Sequence, residues 1–402
     1  METSKIYKDL LERVGRSEGE RGSKVYLRTF GCQMNVRDSQ LLKGLLLQEG
    51  FSLTDREQDA DVVIFNTCAV RKHAEDRVFS ILGGIGKRKE RIGWPRVIAL
   101  VGCVAEEWKE RAFEKAGYLN IVCGPNDLYR LPLAIRNAFF SPDRRIVLVG
   151  SPSREEDFYR KGNWFVEGES AFVIVMEGCN NFCSYCIVPY VRGRERSRPW
   201  QEVVSEVKKL VAQGVSKFTL LGQNVNSYQG GVDFPDLLEK VAMVEGVKSL
   251  SFATSHPKDA TDRLFEVMAR YPNIEKYLHL PLQSGSDRIL KLMNRGYTFE
   301  DYRRKVDSYR QIVSGGKIST DLIVGFPTET EEDFQKTVEA VKSIGFDCAY
   351  IFKYSPRPFT KASMMGDDVP LEAKERRHQI LLSLQKEISL QKKDKFGGCD
   401  FS

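Results

Sequence analysis

The 402 residues contain no run of about 18 uninterrupted apolar side chains, so no membrane-spanning helix is expected. The opening stretch, METSKIYKDLLERVGRSEGERGSK, has no apolar signal core, which points to a cytoplasmic protein. There is no low-complexity tract and no short-period repeat, which sets aside solenoids and biased linkers. Neither charge sign dominates. Lys and Arg number 61 against 55 Asp and Glu, and the net charge of +6 permits a nucleic-acid partner without requiring one. What is present is ordinary globular composition, 42% hydrophobic and 29% charged, with room for two or three domains. The nine cysteines are not expected to form disulfides in the cytoplasm. Clustered ones there bind metal or do chemistry.

From Lys24 the pattern alternates strand and helix. KVYLRTF, DVVIFNT, RVIALVG and YLNIVCG read as strands, with helices expected near 38–47, 71–82, 106–115 and 126–137. Short apolar runs between amphipathic helices predict an α/β fold with a doubly wound parallel sheet. The polar stretch SPSREEDFYRKG marks a linker. A second series follows: AFVIVME, KFTLLGQ, SLSFATS, KYLHLPL, ISTDLIVG and CAYIFKYS, with helices between. Six βα units predict a partial (β/α)6 barrel whose chemistry sits at the carboxyl ends of the strands. A charged helix runs from Pro370 to about 395. The expected organisation is an extension over 1–23, a first domain over 24–145, a linker over 146–166, a second domain over 167–396 and a tail over 397–402.

The densest chemistry lies in EGCNNFCSYCIVPYVRGRERSRP, where Cys179, Cys183 and Cys186 are spaced C-x3-C-x2-C. This spacing could be one apolar helix face, but Gly178, Asn180, Asn181 and Pro189 favour a loop. Structural zinc wants four closed ligands, and no Cys or His completes finger spacing here. An iron–sulfur cubane held by three thiolates fits better, leaving one iron open to another molecule. Three further cysteines, Cys32, Cys68 and Cys103, each stand one or two residues past a predicted strand of the first domain. Parallel strands end on one edge, so these thiols can converge there as a second such site. Cys123 and Cys348 read as packed core thiols, and Cys399 as a tail thiol.

C-x3-C-x2-C with Tyr185 before the last cysteine resembles the radical S-adenosylmethionine (SAM) superfamily. TFGCQMN, NTCAVR and VGC, together with EGCNNFCSYCIVPYVRGRERSRP, resemble the methylthiotransferase family within it, over about 24–393. The resemblance implies two 4Fe-4S clusters and SAM as cofactors. It implies that one SAM methylates a sulfur associated with the auxiliary cluster and that a second supplies a 5′-deoxyadenosyl radical. It also implies a reductant such as flavodoxin or ferredoxin.

Within the family, LLGQNVNSY, ATSHPKD and LPLQSGSDRILKLMNRGYT are most similar to the MiaB-type branch, which modifies isopentenylated adenosine beside the tRNA anticodon. Other branches modify threonylcarbamoyladenosine in tRNA or an aspartate of a ribosomal protein. A non-catalytic iron–sulfur protein that binds RNA or senses its surroundings is the reading from a different class. Strand-end polar groups offer SAM contacts: Tyr185, Gln223, Asn224, Gln283, Ser284, Ser286, Asp321, Gly325 and Tyr354. His256 and His279 are given no ligand role, and no catalytic side chain is assigned. In an extended segment Arg192, Arg194, Arg196 and Arg198 would line one side and suit the phosphates of an anticodon stem-loop, with Tyr190 stacking on a base. Family members usually carry a C-terminal TRAM β-barrel. No strand pattern follows the last helix here, so none is expected within these residues. A monomer without membrane contact is expected.

Overall fold

The computed structural model describes residues 22–70, 72–151 and 168–396. Most of the N-terminal extension, the expected linker from 152 onward and the tail with Cys399 lie outside the described residues. The chain divides into two compact units. One comprises Met1–Glu167 with Tyr190–Gly193, and the other comprises Gly168–Pro189 with Arg194–Ser402.

The first unit is built on β1 (Lys24–Phe30), β2 (Ser52–Leu53), β3 (Val62–Thr67), β4 (Val97–Gly102), β5 (Ile121–Cys123) and β6 (Ile146–Leu148). All pair in parallel, in the order β2-β1-β3-β4-β5-β6. The central strands β3 and β4 are buried along their whole length. Burial on both faces is why VVIFNT and VIALVG read as unbroken runs. The helices Gln33–Gln48 and Lys72–Ile92 pack against β1 and β3. The sheet has six strands where four were expected. β2 is only two residues long, and β6 lies in the stretch assigned to the linker, pairing Ile146 with Ile121. Strand order reverses on either side of β1. That switch point opens a crevice beyond the carboxyl ends of β1 and β3.

The second unit carries β7 (Ser170–Ile174), a short hairpin pair β8 (Met176–Glu177) and β9 (Arg196–Ser197), then β10 (Lys217–Leu221), β11 (Ser249–Ala253), β12 (Tyr277–His279), β13 (Lys317–Val324) and β14 (Cys348–Lys353). β7, β10 and β11 form one parallel sheet, and β12, β13 and β14 another. A parallel bridge between Leu250 and Ile274 carries the run of strands across the break. Six parallel strands in chain order make the expected partial barrel. Cys348 is half-buried on the edge strand β14 rather than in the core. Thr298 and Thr330 cap the helices Phe299–Ile312 and Glu331–Ile344 with full capping boxes, each contributing about 1 kcal/mol. The helix Leu371–Phe396 closes the described chain against β14.

Candidate functional site

Sheet register brings the first three cysteines together. Phe30 is level with Thr67, and Thr67 with Gly102. Cys32, Cys68 and Cys103 therefore leave the sheet from one edge. The loops sit tightly: a Cβ at Gly31 would stand 2.6 Å from the Cys68 Cβ, and one at Gly102 2.4 Å from Asn66 Oδ1. Gly102 also has a φ of 90°, which only glycine adopts without strain. Beneath the thiols lies a buried amide network. Asn35 Nδ2 donates to Asn66 Oδ1 at 3.0 Å and to the Thr67 carbonyl at 3.2 Å, and Asn66 Nδ2 donates back to the Asn35 carbonyl at 2.9 Å. Such networks fix a single loop geometry because a half-made one leaves buried polar groups unpaired.

The electrostatics of the three thiols differ. A hydrogen bond with Cys68 brings the exposed Cys32 thiol down to about 6 despite the cost of desolvation, with further help from Arg192 and nearby backbone N–H groups. The same bond, followed by burial, pushes Cys68 up. Burial is the first cause of the rise at Cys103, opposed by Arg192. Arg192 Nε donates to Cys103 Sγ at 3.3 Å, and its Nη2 pairs with the buried Asp38 carboxylate at 2.8 Å.

In the second unit Cys179, Cys183 and Cys186 lie in a loop whose ends are zipped by β8 and β9. Asn180 and Glu195 add two further cross-links, Asn180 N–H to Glu195 Oε1 at 3.1 Å and Glu195 N–H to Asn180 Oδ1 at 3.3 Å. Asn294, in the left-handed region at φ 58°, clamps the loop by donating Nδ2 to the Asn181 and Phe182 carbonyls at 3.0 and 3.1 Å. Ser184 is held by Met293 and Ala362 through backbone bonds. The buried Arg295 donates to Cys183 Sγ and to Tyr185 Oη, both at 3.3 Å, and to the Pro281 carbonyl at 2.8 Å. Burial pushes the Cys179 thiol up to about 11 and Cys186 up to about 12. A bound metal reverses that preference, because a coordinating thiol is deprotonated outright.

No group of three His, Cys, Asp or Glu side chains among the described residues is close enough to chelate a single ion. The thiolates of a cubane bind different irons, so three thiols can serve a cluster without forming a single-ion chelate. In each set a buried guanidinium donates to one sulfur, Arg192 to Cys103 and Arg295 to Cys183, a donor set that suits an anionic iron–sulfur group.

The barrel face carries unpartnered buried polar atoms: Asn224 Oδ1, both polar atoms of the Asn226 side chain, Ser255 Oγ, His256 Nε2 and Gln283 Oε1. All follow β10, β11 or β12. Orphaned groups of this kind are rare in folded proteins, and here they suit a polar ligand such as SAM. His256 Nδ1 accepts the Lys258 N–H at 3.3 Å, and burial, with Arg295 and Lys258, drives the ring down to about 2. The neutral ring thus carries its hydrogen on Nε2. Thr254 and Gln283 both have φ of 74°, a strained conformation typical of functional loops.

The remaining expected SAM residues divide. Gln223 Oε1 accepts the Gly178 N–H at 2.5 Å and so supports the cysteine loop. Tyr185 packs on the cluster of Ile289, Met293, Phe326, Tyr354 and Ala362, so Tyr185 and Tyr354 share one apolar wall. Asp321 faces His279 Nε2 at 3.5 Å. Three of the expected residues have other neighbours. Ser286 Oγ donates to Asp333 Oδ1 at 2.6 Å, and Ser284 Oγ meets Thr337 Oγ1 at 3.4 Å, so both buried hydroxyls turn to the helix Glu331–Ile344. At Gly325 a Cβ would strike the Lys374 side chain, so that glycine serves the packing of the last helix.

The arginines do not form one row. Arg192 is buried against Asp38 and Cys103, and Arg198 is tied to Glu206 at 2.7 Å and the Ile174 carbonyl at 2.6 Å. Neither is presented to a phosphate. Arg194 is exposed over the Phe182 ring at 4.3 Å, Arg196 is partly exposed, and Tyr190 is exposed.

Residues 173–341 match the radical SAM superfamily model, and residues 24–124 match Uncharacterized protein family UPF0004. The chain is 43% identical over 389 residues to the tRNA-2-methylthio-N(6)-dimethylallyladenosine synthase of Caldicellulosiruptor saccharolyticus, covering 93% of this chain and 80% of that one. The synthase of the same name from Thermodesulfovibrio yellowstonii is 42% identical, covering 94% and 86%. The chain belongs to the methylthiotransferase family of radical SAM enzymes. Fold likeness extends further. The radical SAM methyltransferase TsrM of Kitasatospora setae, solved with tryptophan and a SAM analogue, superposes with a TM-score of 0.59 at 17% identity, covering 85% of this chain and 75% of that one. The cobalamin-dependent radical SAM enzyme OxsB gives 0.55 at 12% identity, covering 89% and 57%.

Sequence reasoning assigned Arg192 to phosphate rather than to sulfur, and it did not single out Arg295 at all. Arg295 follows a helix rather than a strand, so no strand-end rule points to it. His256 and Ser255 do follow a strand end, and that signal was available.

Proposed function

We propose that this enzyme adds a methylthio group to C2 of N6-dimethylallyladenosine in tRNA, using two SAM molecules. Cys32, Cys68 and Cys103 would hold one 4Fe-4S cluster, and Cys179, Cys183 and Cys186 the other. The observation that carries the reading is the presence of two convergent sets of three thiols, each one ligand short of closing a cubane. When bound, these groups supply the transferable sulfur and the reductive cleavage of SAM. The residues of this chain supply position and charge. Arg295 offsets the charge of the Cys183 thiolate, and Asn294 with Ser184 holds the cysteine loop. Asn224, Gln283 and His256 present unpaired polar atoms to a ligand at the strand ends. Burial at this face excludes water from reactive species. Tyr190, Arg194 and Arg196 remain candidates for the anticodon stem-loop, and a flavodoxin or ferredoxin type of protein would deliver electrons.

The names of the relatives support the tRNA substrate, and the match spans both cysteine sets. The test is mass spectrometry of tRNA nucleosides and ribosomal proteins from cells lacking and then regaining this gene. The methylthio derivative of dimethylallyladenosine should disappear and return. Loss of a methylthiolated threonylcarbamoyladenosine or ribosomal aspartate instead would reassign the substrate.

A further inference from the structure

Arg192 stands in a run of arginines that sequence pattern alone assigns to phosphate, yet it belongs to the first unit, with Tyr190–Gly193. It is 3% exposed. Its partner Asp38, in the helix Gln33–Gln48, is fully buried. Burying two charges costs several kcal/mol per ion, and a buried pair that serves stability alone is often no better than apolar packing. The pair therefore calls for a third participant. The guanidinium has one. While Nη2 engages Asp38 at 2.8 Å, Nε points at Cys103 Sγ at 3.3 Å, and the same cation is close enough to act on Cys32. The planar fork of arginine can serve a carboxylate and a sulfur at once, which a lysine ammonium on a flexible stem does not do.

We propose that Arg192 is a positioning residue for the N-terminal thiol set, a fixed cation that orients Cys103 and sets the reduction potential of the cluster held there, with Asp38 as its anchor. This rests on the reading of Cys32, Cys68 and Cys103 as cluster ligands. Net charge and hydrogen bonds to sulfur are the protein's main controls on such potentials. Removing the cation should make the cluster harder to reduce. Removing the Asp38 charge while keeping the cation should make it easier. A purely structural ion pair gives a different pattern, because either substitution breaks the same bond and both should act alike.

The experiment uses the full chain with Cys179, Cys183 and Cys186 changed to Ala, so that only the N-terminal set can load. Iron per chain and the midpoint potential, followed by electron paramagnetic resonance in a mediated titration, are compared for this parent and for Arg192→Met, Arg192→Lys and Asp38→Asn. The expected result is a shift to more negative potential in Arg192→Met, a smaller negative shift in Arg192→Lys and a positive shift in Asp38→Asn. If Arg192→Met fails to load iron, the opposite signs of Arg192→Lys and Asp38→Asn decide. Potentials that stay put, or that move in one direction in all variants, overturn the inference. A parent that binds no iron overturns the ligand assignment itself, and the inference falls with it.

Discussion

Glu329 accepts the Gly325 N–H at 2.7 Å and pairs with Arg377 at 2.7 Å, yet burial outweighs these partners and pushes its carboxyl up to about 7. The folded chain therefore holds a proton that the unfolded chain gives up near the ordinary glutamate value. Stability from this group is complete below about pH 4.3 and is lost as pH rises through 7, a contribution on the order of 3 kcal/mol. Thermal unfolding of the metal-free chain between pH 5 and 8 should show the wild type losing stability relative to Glu329→Gln. Parallel curves for the two proteins would contradict the assignment. At this scale the sequence is legible in residue type but not in direction. Gln283, Ser284 and Ser286 are polar neighbours beyond one strand, and nothing in their order separates them. The difference comes from Asp333, 47 residues beyond Ser286, which takes that hydroxyl away from the barrel face and leaves Gln283 Oε1 without a partner.

Among elements, the short helix Asp287–Leu292 depends on Ser286, whose hydroxyl accepts from the Ile289 N–H while donating to Asp333. Ser286→Ala should lower stability by about 1–2 kcal/mol. SAM affinity, measured by calorimetry on cluster-loaded protein, should stay within twofold of wild type. A tenfold loss of affinity at unchanged stability would return Ser286 to the cofactor site. The strands of the second unit are readable because each is a short apolar run flanked by amphipathic helices, and the expected segments and observed strands coincide within a few residues. β2 and β6 are not readable for the same physical reason. Two or three residues cannot establish a period, and both exist only because the neighbouring strand offers an unpaired edge. The polar Asp143, Arg144 and Arg145 just before β6 reinforce the look of a linker. The cysteines of the first unit were legible because parallel register is a rule about strand ends, whereas the arrival of Arg192 beside Cys103 joins residues 89 apart and follows no local pattern.

For the whole molecule the two sulfur sets should be separable. Anaerobically reconstituted protein should hold about eight irons per chain, and replacing Cys179, Cys183 and Cys186 together should halve that. An unmodified chain that never exceeds about four would mean that one set binds no cluster. Cys68→Ala should still produce 5′-deoxyadenosine from SAM under strong reductant but yield no methylthio product, because the barrel is a unit with its own core. Cys183→Ala should fail at SAM cleavage. Methylthio-tRNA from Cys68→Ala at wild-type levels would rule out a sulfur-donating role for the N-terminal set. With RNA, Arg194→Ala with Arg196→Ala should weaken anticodon stem-loop binding and flatten its salt dependence, since each lost phosphate contact removes about one released counterion. An unchanged salt slope would remove both from the RNA footprint.

The clamp on the cysteine loop also has a consequence for biosynthesis. Asn294 reaches back 113 residues to Asn181, and Arg295 reaches back 112 to Cys183. A nascent chain emerging from the ribosome exposes Cys179, Cys183 and Cys186 well before the residues that hold their loop are made. The sheet edge of Cys32, Cys68 and Cys103 is drawn from the first hundred or so residues and can form during synthesis, as N-terminal domains generally do. The hold on the barrel loop is complete only once the chain has passed Asn294, Arg295 and Ala362. Stalled nascent chains ending near residue 270 should leave the loop open to protease, and chains extended beyond the last helix should protect it.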